Sequence, residues 1–70
     1  MAQAMVEGQV VRVGDYVCFK SDVEQCGQVV SILSTMRGHT LTVSSKYGFS
    51  GEYIGGQTRT TVDTRDCWIK

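Results

Sequence analysis

The segment GQVVSILSTMRGHTLTVSS, residues 27–45, predicts two β-strands that fold back on each other at Arg37-Gly38. β-branched residues fill both arms and favour strands, and Gly38 can adopt the positive φ that a tight hairpin turn requires. With a two-residue turn at this point, Ile32 lies opposite Val43 and one face of the hairpin is apolar. A turn one residue longer would break that apolar face, so the shorter turn is predicted.

The composition of the chain limits both its size class and its partners. Its 70 residues form one domain at most, with a small core. Seven basic and seven acidic side chains give a net charge of zero, which excludes a polyanion binder by bulk charge but leaves room for a local basic stripe. No stretch approaches the ~20 apolar residues of a membrane span, and residues 1–8 lack the basic start and apolar run of a secretory signal. We therefore expect a cytoplasmic protein with no membrane contact.

Three cysteines, Cys18, Cys26 and Cys67, are an odd number without CxxC spacing. In a cytoplasmic protein such cysteines are expected as free thiols, and a bridge between Cys18 and Cys26 across a short loop is the less favoured alternative. The cysteines and His39 are also the ligand types that zinc prefers, but no two of them are two to four residues apart, as structural zinc ligands typically are. We predict no metal and no cofactor.

The remaining strands are predicted from alternation and turn residues. A first strand runs over residues 9–20 and is interrupted by a turn at Gly14-Asp15, beyond which Val17 and Phe19 share a face. Residues 59–62 form a further strand, residues 63–66 one helical turn, and residues 67–70 the last strand. Residues 1–8 are expected as a flexible or docked segment, outside a domain that spans residues 9–70.

The residues of shared parity on these strands form the predicted core. They are Val13, Val17, Phe19, Val30, Ile32, Leu41, Val43, Val62 and Ile69, with Cys67 partly buried. On this basis Ile32→Ala should cost about 2–5 kcal/mol of stability.

Two loops carry candidate functional residues. Asp22 and Glu24 would suit a cation site or a catalytic pair, but no third ligand or histidine lies nearby, so a solvated acidic loop is predicted. Residues 46–58, KYGFSGEYIGGQT, interleave four glycines with aromatic residues, and loops of this length are often functional. We predict that Phe49 and Ile54 fold back onto the domain, whereas tyrosine suits both burial and an exposed binding surface.

A family resemblance rests on the opening strands. Residues 13–19, VGDYVCF, followed by residues 27–32, GQVVSI, resemble the opening of KOW- and Tudor-type members of the Src-homology-3-like (SH3-like) small barrels, where a "V-x-x-G-D-x-V" strand is followed by "G-x-V-x-x-I". The resemblance implies an all-β fold: a single five-stranded SH3-like barrel with one short helical turn before the last strand. It also implies binding to RNA, ribosomal proteins, methylated side chains or proline-rich peptides. The small size and the lack of proline are in addition similar to phage-encoded proteins.

Nothing in the sequence indicates catalysis. His39 is the only histidine and stands beside the predicted turn, without a recognisable nucleophile motif. The glycines match neither phosphate-binding motif, G-x-x-x-x-G-K-[ST] or G-x-G-x-x-G. A non-enzymatic module is therefore predicted.

The expected function is binding of a protein partner, or self-association, through the glycine-rich loop and the neighbouring aromatic faces. The expected contact residues are Tyr16, Lys46, Tyr47, Phe49, Glu52, Tyr53, Arg59 and Trp68. On this hypothesis Tyr53→Ala keeps the fold and abolishes association. The alternative is KOW-like binding of RNA, DNA or a nucleotide through Lys46, Arg59 and Arg65 with aromatic stacking, which would weaken steeply with salt.

Overall fold

The computed structural model describes residues 3–36 and 38–69, which form two antiparallel sheets. The strands are β1 (Gln3–Val6), β2 (Gln9–Arg12), β3 (Tyr16–Lys20), β4 (Glu24–Thr35), β5 (Gly38–Ser44), β6 (Arg59–Asp63) and β7 (Cys67–Trp68). The predicted all-β class is confirmed, because the only helix within the described residues is a three-residue 3-10 turn, Thr64–Asp66. Among these strands no pairing joins β6 to β7, so the sheet β6-β5-β4-β3-β7 is open rather than a closed barrel.

The N-terminal residues form a hairpin that covers the core side of the larger sheet. Residues 3–8, part of the segment predicted as flexible or docked, supply β1 and the turn to β2. Glu7 and Gly8 both have positive φ, 52° and 79°, as a two-residue hairpin turn of this hand requires. Ala4 and Val6 are buried in the common core, and the Ile69 N–H donates to Glu7 Oε1 at 3.0 Å. The hairpin is thus an integral part of the fold.

The end of the chain follows the prediction closely. The 3-10 turn Thr64–Asp66 leads directly into β7, which pairs antiparallel with β3. Cys67 is buried on the core side opposite Phe19, whereas Trp68 lies opposite Cys18 on the other side of the sheet. The last strand therefore contributes to both surfaces of the sheet.

The central hairpin is confirmed, but its predicted register is wrong by two residues. Thr35 pairs with Gly38, and Ile32 pairs with Leu41 rather than with Val43. The turn therefore begins one residue earlier than predicted, at Met36; Arg37 lies outside the described residues. Because side chains alternate with a period of two, this shift keeps the same apolar face inward.

A β-bulge in β4 corrects the predicted core. The register shifts between Val29 and Ser31, so Val29 is fully buried and Val30 is only half-buried. Val13, a second predicted core residue, is exposed because it stands at the turn into β3, where the Asp15 N–H donates to the Arg12 carbonyl at 3.0 Å.

Buried side chains from six of the seven strands and from one loop residue form the observed core. It comprises Ala4, Val6, Val11, Val17, Phe19, Val29, Leu41, Val43, Phe49 and Cys67. Ile32, Val62 and Ile69 are half-buried against it, so Ile32→Ala belongs at the lower end of the predicted range, about 2 kcal/mol.

The bulge yields a direct stability prediction. Val29→Ala should lower the free energy of unfolding by about 1.5–3 kcal/mol, because it removes methyl groups from a fully buried position. Val30→Ala is the matched control and should cost clearly less, measured by urea denaturation of both variants. Equal costs, or a larger cost at Val30, would contradict the bulge at this position.

Candidate functional site

The surface of the larger sheet opposite the core, called here the outer face, carries most of the candidate residues. On β3, Val17 and Phe19 point into the core, so Tyr16 and Cys18 point to the outer face. Directly paired residues share a face of a sheet. The register therefore sets one row of outer-face side chains across four strands, consisting of Tyr16, Gln28, Ser44 and Arg59.

Two exposed tyrosines line one groove at the edge of this row. Tyr16 on β3 is 67% exposed and Tyr47, in the loop after β5, is 89% exposed. Between them lies a cavity of about 570 Å³, the tyrosine groove, which Gln28 and Ser44 also line. Lys46 belongs to the same lining, and its Nζ lies 5.5 Å from the centroid of the Tyr47 ring. Three of the expected contact residues are thus brought together.

A disulfide forms the next part of the outer face and corrects the predicted free thiols. β3 and β4 are joined by a short loop and place Cys18 directly opposite Cys26, where the two are bonded. Trp68 lies opposite Cys18 from the other side. A cavity of about 210 Å³ is lined by Trp68 and both cysteines, and Cys26 also lines the tyrosine groove. Cys67 is the free cysteine, and it is buried.

Phe49 anchors the glycine-rich loop in the core. Its side chain is 5% exposed, and its ring meets Phe19 edge-on with 5.5 Å between centroids. Ile54 is half-buried against the same core. The prediction that both residues fold back is therefore confirmed, and the buried ring of Phe49 cannot serve as an exposed contact residue.

Asp22, in the loop between β3 and β4, and Gln25, near the start of β4, hold the backbone of the glycine-rich loop with their side chains. The Gln25 amide donates to the Ser50 carbonyl at 3.1 Å and accepts the Ser50 N–H at 2.8 Å. Asp22 Oδ2 accepts the Glu52 N–H at 2.6 Å, so Asp22 is not the merely solvated acid predicted. Gly51 has φ +97°, and a Cβ there would collide with the Asp22 carboxylate. The loop backbone is thus held at Ser50 by Gln25 and at Glu52 by Asp22.

The bond to Glu52 makes this attachment dependent on pH. It is the main cause that lowers the pKa of Asp22 below its usual value of 3.8. A lowered pKa stabilises the folded state above pH 3.8, and this contribution is lost as the pH falls through the folded pKa. In an NMR titration the Glu52 amide shift should follow Asp22 with a midpoint below 3.8, and Asp22→Asn should abolish that titration. A midpoint at or above 3.8 would contradict the hydrogen bond.

The other expected contact residues lie elsewhere. The Glu52 N–H is bonded to Asp22, which follows the end of β3, whereas Tyr16 stands at the start of that strand. Tyr53 follows Glu52 and is 75% exposed. Arg65 lies in the 3-10 turn, 3.5 Å from the Asp63 carboxylate, and lines a different cavity. The outer face therefore gathers Tyr16, Lys46, Tyr47, Arg59 and Trp68 and leaves out Glu52, Tyr53 and Arg65.

Metal and membrane sites have no counterpart in the part of the chain that the structure describes. No three His, Cys, Asp or Glu side chains there are close enough together to hold one ion. No helix in those ranges has the length and apolar character needed to cross a membrane. His39 is half-buried on β5 opposite Ser34, within the central hairpin.

Sequence reasoning did not predict the long-range hydrogen bonds of three residues. Gln25, Asp22 and Gln28 are polar residues whose partners are 14 or more positions away in the chain, and no local pattern indicates such pairs.

Searches against protein-family models, curated protein sequences and solved structures each found no match to this chain.

Proposed function

We propose that this chain is a non-enzymatic interaction module that binds a segment of a protein partner, or a second copy of itself, in the tyrosine groove. One observation carries the proposal: two exposed tyrosines, 31 positions apart in sequence, line the same groove. Tyrosine and tryptophan are the residues from which binding hot spots are most often built. Trp68 lies on the same face and extends this aromatic surface.

The anchored loop supports binding at this place. Phe49 is buried, and the Gln25 and Asp22 bonds hold the backbone that follows. The backbone next to Tyr47 is also fixed, because the Gly48 N–H donates to the Ser45 carbonyl at 3.3 Å and Ser45 Oγ donates to the Gly48 carbonyl at 3.0 Å. A contact residue on a fixed backbone loses less conformational freedom on binding, which preserves affinity.

The charges around the groove indicate the chemistry of the partner. Lys46 is the one charged side chain among the described residues that line it, and Arg59 stands at the far end of the outer-face row. A partner segment with a carboxylate beside an aromatic or apolar side chain would match this arrangement.

We further propose that the larger sheet is an open form of the SH3-like small barrel. The sheet is a meander of β3 to β6, and β7 returns to β3 after a single 3-10 turn. This order, with a tight central hairpin and one helical turn before the last strand, supports the family resemblance of the opening strands.

Single-stranded nucleic acid is the second candidate ligand. Lys46 and Arg59 lie on the outer face with the tyrosine rings, a combination suited to phosphates and stacked bases. Arg65, the third expected basic contact, is beside Asp63 and away from the groove. The charge balance of zero also favours the protein partner.

A peptide selection tests the proposal. The purified chain is used to select binders from a random peptide display library, and light scattering tests for self-association. The affinity of each selected peptide, or of the self-association, is then measured for wild type, Tyr16→Ala, Tyr47→Ala and Tyr53→Ala. Loss of a hot-spot tyrosine costs about 2 kcal/mol or more, so the two groove variants should bind at least about 30-fold more weakly.

Tyr53→Ala is the matched control, an exposed loop tyrosine outside the groove lining. It should bind as wild type does, and if it alone abolishes binding, the loop tip is the contact surface, as the sequence-based hypothesis has it. Single-stranded oligonucleotides are measured in parallel at low and high salt. Steeply salt-dependent oligonucleotide binding, with no selected peptide and no self-association, would replace the protein partner by the second candidate.

The disulfide bears on the compartment in which such a module works. Disulfides persist in oxidising surroundings and are rare in the cytosol, where thiol systems reduce them. In the cytoplasmic location expected from the sequence, the Cys18–Cys26 pair would meet reducing thiols continually.

A further inference from the structure

The two cysteines of the disulfide differ in the exposure of the residue as a whole. Cys18 is 4% exposed and lies between Cys26 and Trp68 in the outer face. Cys26 is exposed on β4 and lines the cavities on both of its sides, the one shared with Trp68 and the tyrosine groove. A molecule that approaches from solvent therefore meets Cys26 first.

We infer that Cys26 is a site of covalent modification by a small thiol of the glutathione class, with Cys18 as the buried partner that reverses the modification. The site is a property of the fold and does not depend on the proposed interaction.

The reaction is thiol–disulfide exchange and needs no additional oxidant. The thiolate sulfur of the small thiol bonds to Cys26 Sγ as the bond between Cys18 and Cys26 breaks. Cys18 Sγ leaves with the electron pair as a thiolate and takes a proton from solvent. In the reverse step the Cys18 thiolate attacks Cys26 Sγ and expels the small thiol, which restores the original disulfide.

The remaining cysteine does not compete in this exchange. Cys67 is buried on the core side of β7, whereas the disulfide is on the outer face. Its Sγ–H donates to the Asp63 carbonyl at 3.2 Å. Burial, together with the negative charges of Asp66 and Asp63, raises the pKa of the Cys67 thiol to about 11, so it stays protonated and weakly nucleophilic.

Peptide mapping tests the assignment directly. Trypsin should release the three cysteines on separate peptides, residues 13–20, 21–37 and 66–70. The folded chain is incubated with a mixture of reduced and oxidised glutathione, quenched with N-ethylmaleimide and digested. The glutathione adduct is expected on the peptide 21–37 and maleimide on the peptide 13–20.

Two variants separate the roles of the sulfurs. Cys18→Ser lacks the buried partner and should accumulate one glutathione per chain at Cys26, which added reduced glutathione removes only slowly. Cys26→Ser should remain unmodified while folded. Circular dichroism monitors folding of both variants, and the mapping of wild type decides the question alone if either variant fails to fold.

Two results would overturn the inference. The first is an adduct on Cys18 equal to or greater than that on Cys26 in the folded wild type. The second is exchange that proceeds only in urea, at the rate of global unfolding, since Cys26 would then be inaccessible in the native chain. Trp68 fluorescence, recorded in the same samples, reports opening of the adjacent disulfide independently of the digest.

Discussion

Phe19→Ala should lower the free energy of unfolding by about 3–5 kcal/mol, which would leave so small a domain largely unfolded. Phe19 is among the largest fully buried side chains, on a strand that pairs with both β4 and β7. Its ring also supports Phe49, so its removal leaves a cavity between the sheet and the glycine-rich loop. Urea denaturation followed by circular dichroism measures the loss.

Tyr16→Ala is the control for this result, because it removes an aromatic ring from the same strand but from the outer face. Exposed substitutions usually change stability by no more than about 0.5 kcal/mol. Equal losses for Phe19→Ala and Tyr16→Ala would mean that β3 has the opposite face toward the core.

Phe49→Ala is the second substitution with a large expected effect, also about 3–5 kcal/mol. Two contributions to the free energy of unfolding are lost: the burial of the ring itself and the packing that the ring provides for the loop. The milder Phe49→Leu should stay folded, at a cost below about 1.5 kcal/mol, while hydrogen exchange at the loop amides accelerates. The amides to follow are those of Phe49, Gly56 and Gln57, which bond within the loop.

The matched control for Phe49→Leu is Tyr53→Leu, an aromatic change on the exposed part of the same loop. It should leave the exchange of these amides unchanged. If Phe49→Leu also leaves them unchanged, the loop is held by its hydrogen bonds alone and Phe49 is not its anchor.

The local sequence pattern predicted the parts of the fold in which apolar and polar residues alternate regularly. The strand around Val17 and Phe19, the central hairpin and the last strand were all found from parity and turn residues. The bulge in β4 could not be predicted, because Val29 and Val30 are adjacent and identical, so hydrophobicity does not show which one faces inward. The turn Glu7-Gly8 lacks the Asn-Gly or Asp-Gly pair that signals such hairpins.

Strand parity indicates which side chains point to the outer face, but it does not show which loop residues lie beside them. The direction in which the side chains of Tyr16 and Trp68 point could be predicted from strand parity, and their role in binding stays a prediction. Which part of the glycine-rich loop joins them depends on the pairing of Asp22 with Glu52 and of Gln25 with Ser50. These long-range bonds leave no periodic signal. The disulfide between Cys18 and Cys26 was the less favoured alternative, because the odd number of cysteines and the expected compartment favoured free thiols. Strand pairing, which sets the two cysteines opposite each other, reverses that preference.

The measurement that tests the central claim most directly is a chemical-shift map of the isotope-labelled chain. It is recorded with a selected peptide or, if the chain self-associates, over increasing concentration. The account predicts the largest changes at Tyr16, Gln28, Lys46 and Tyr47, the lining of the tyrosine groove. Changes confined to Glu52 and Tyr53, with Tyr16 and Tyr47 unmoved, would contradict it.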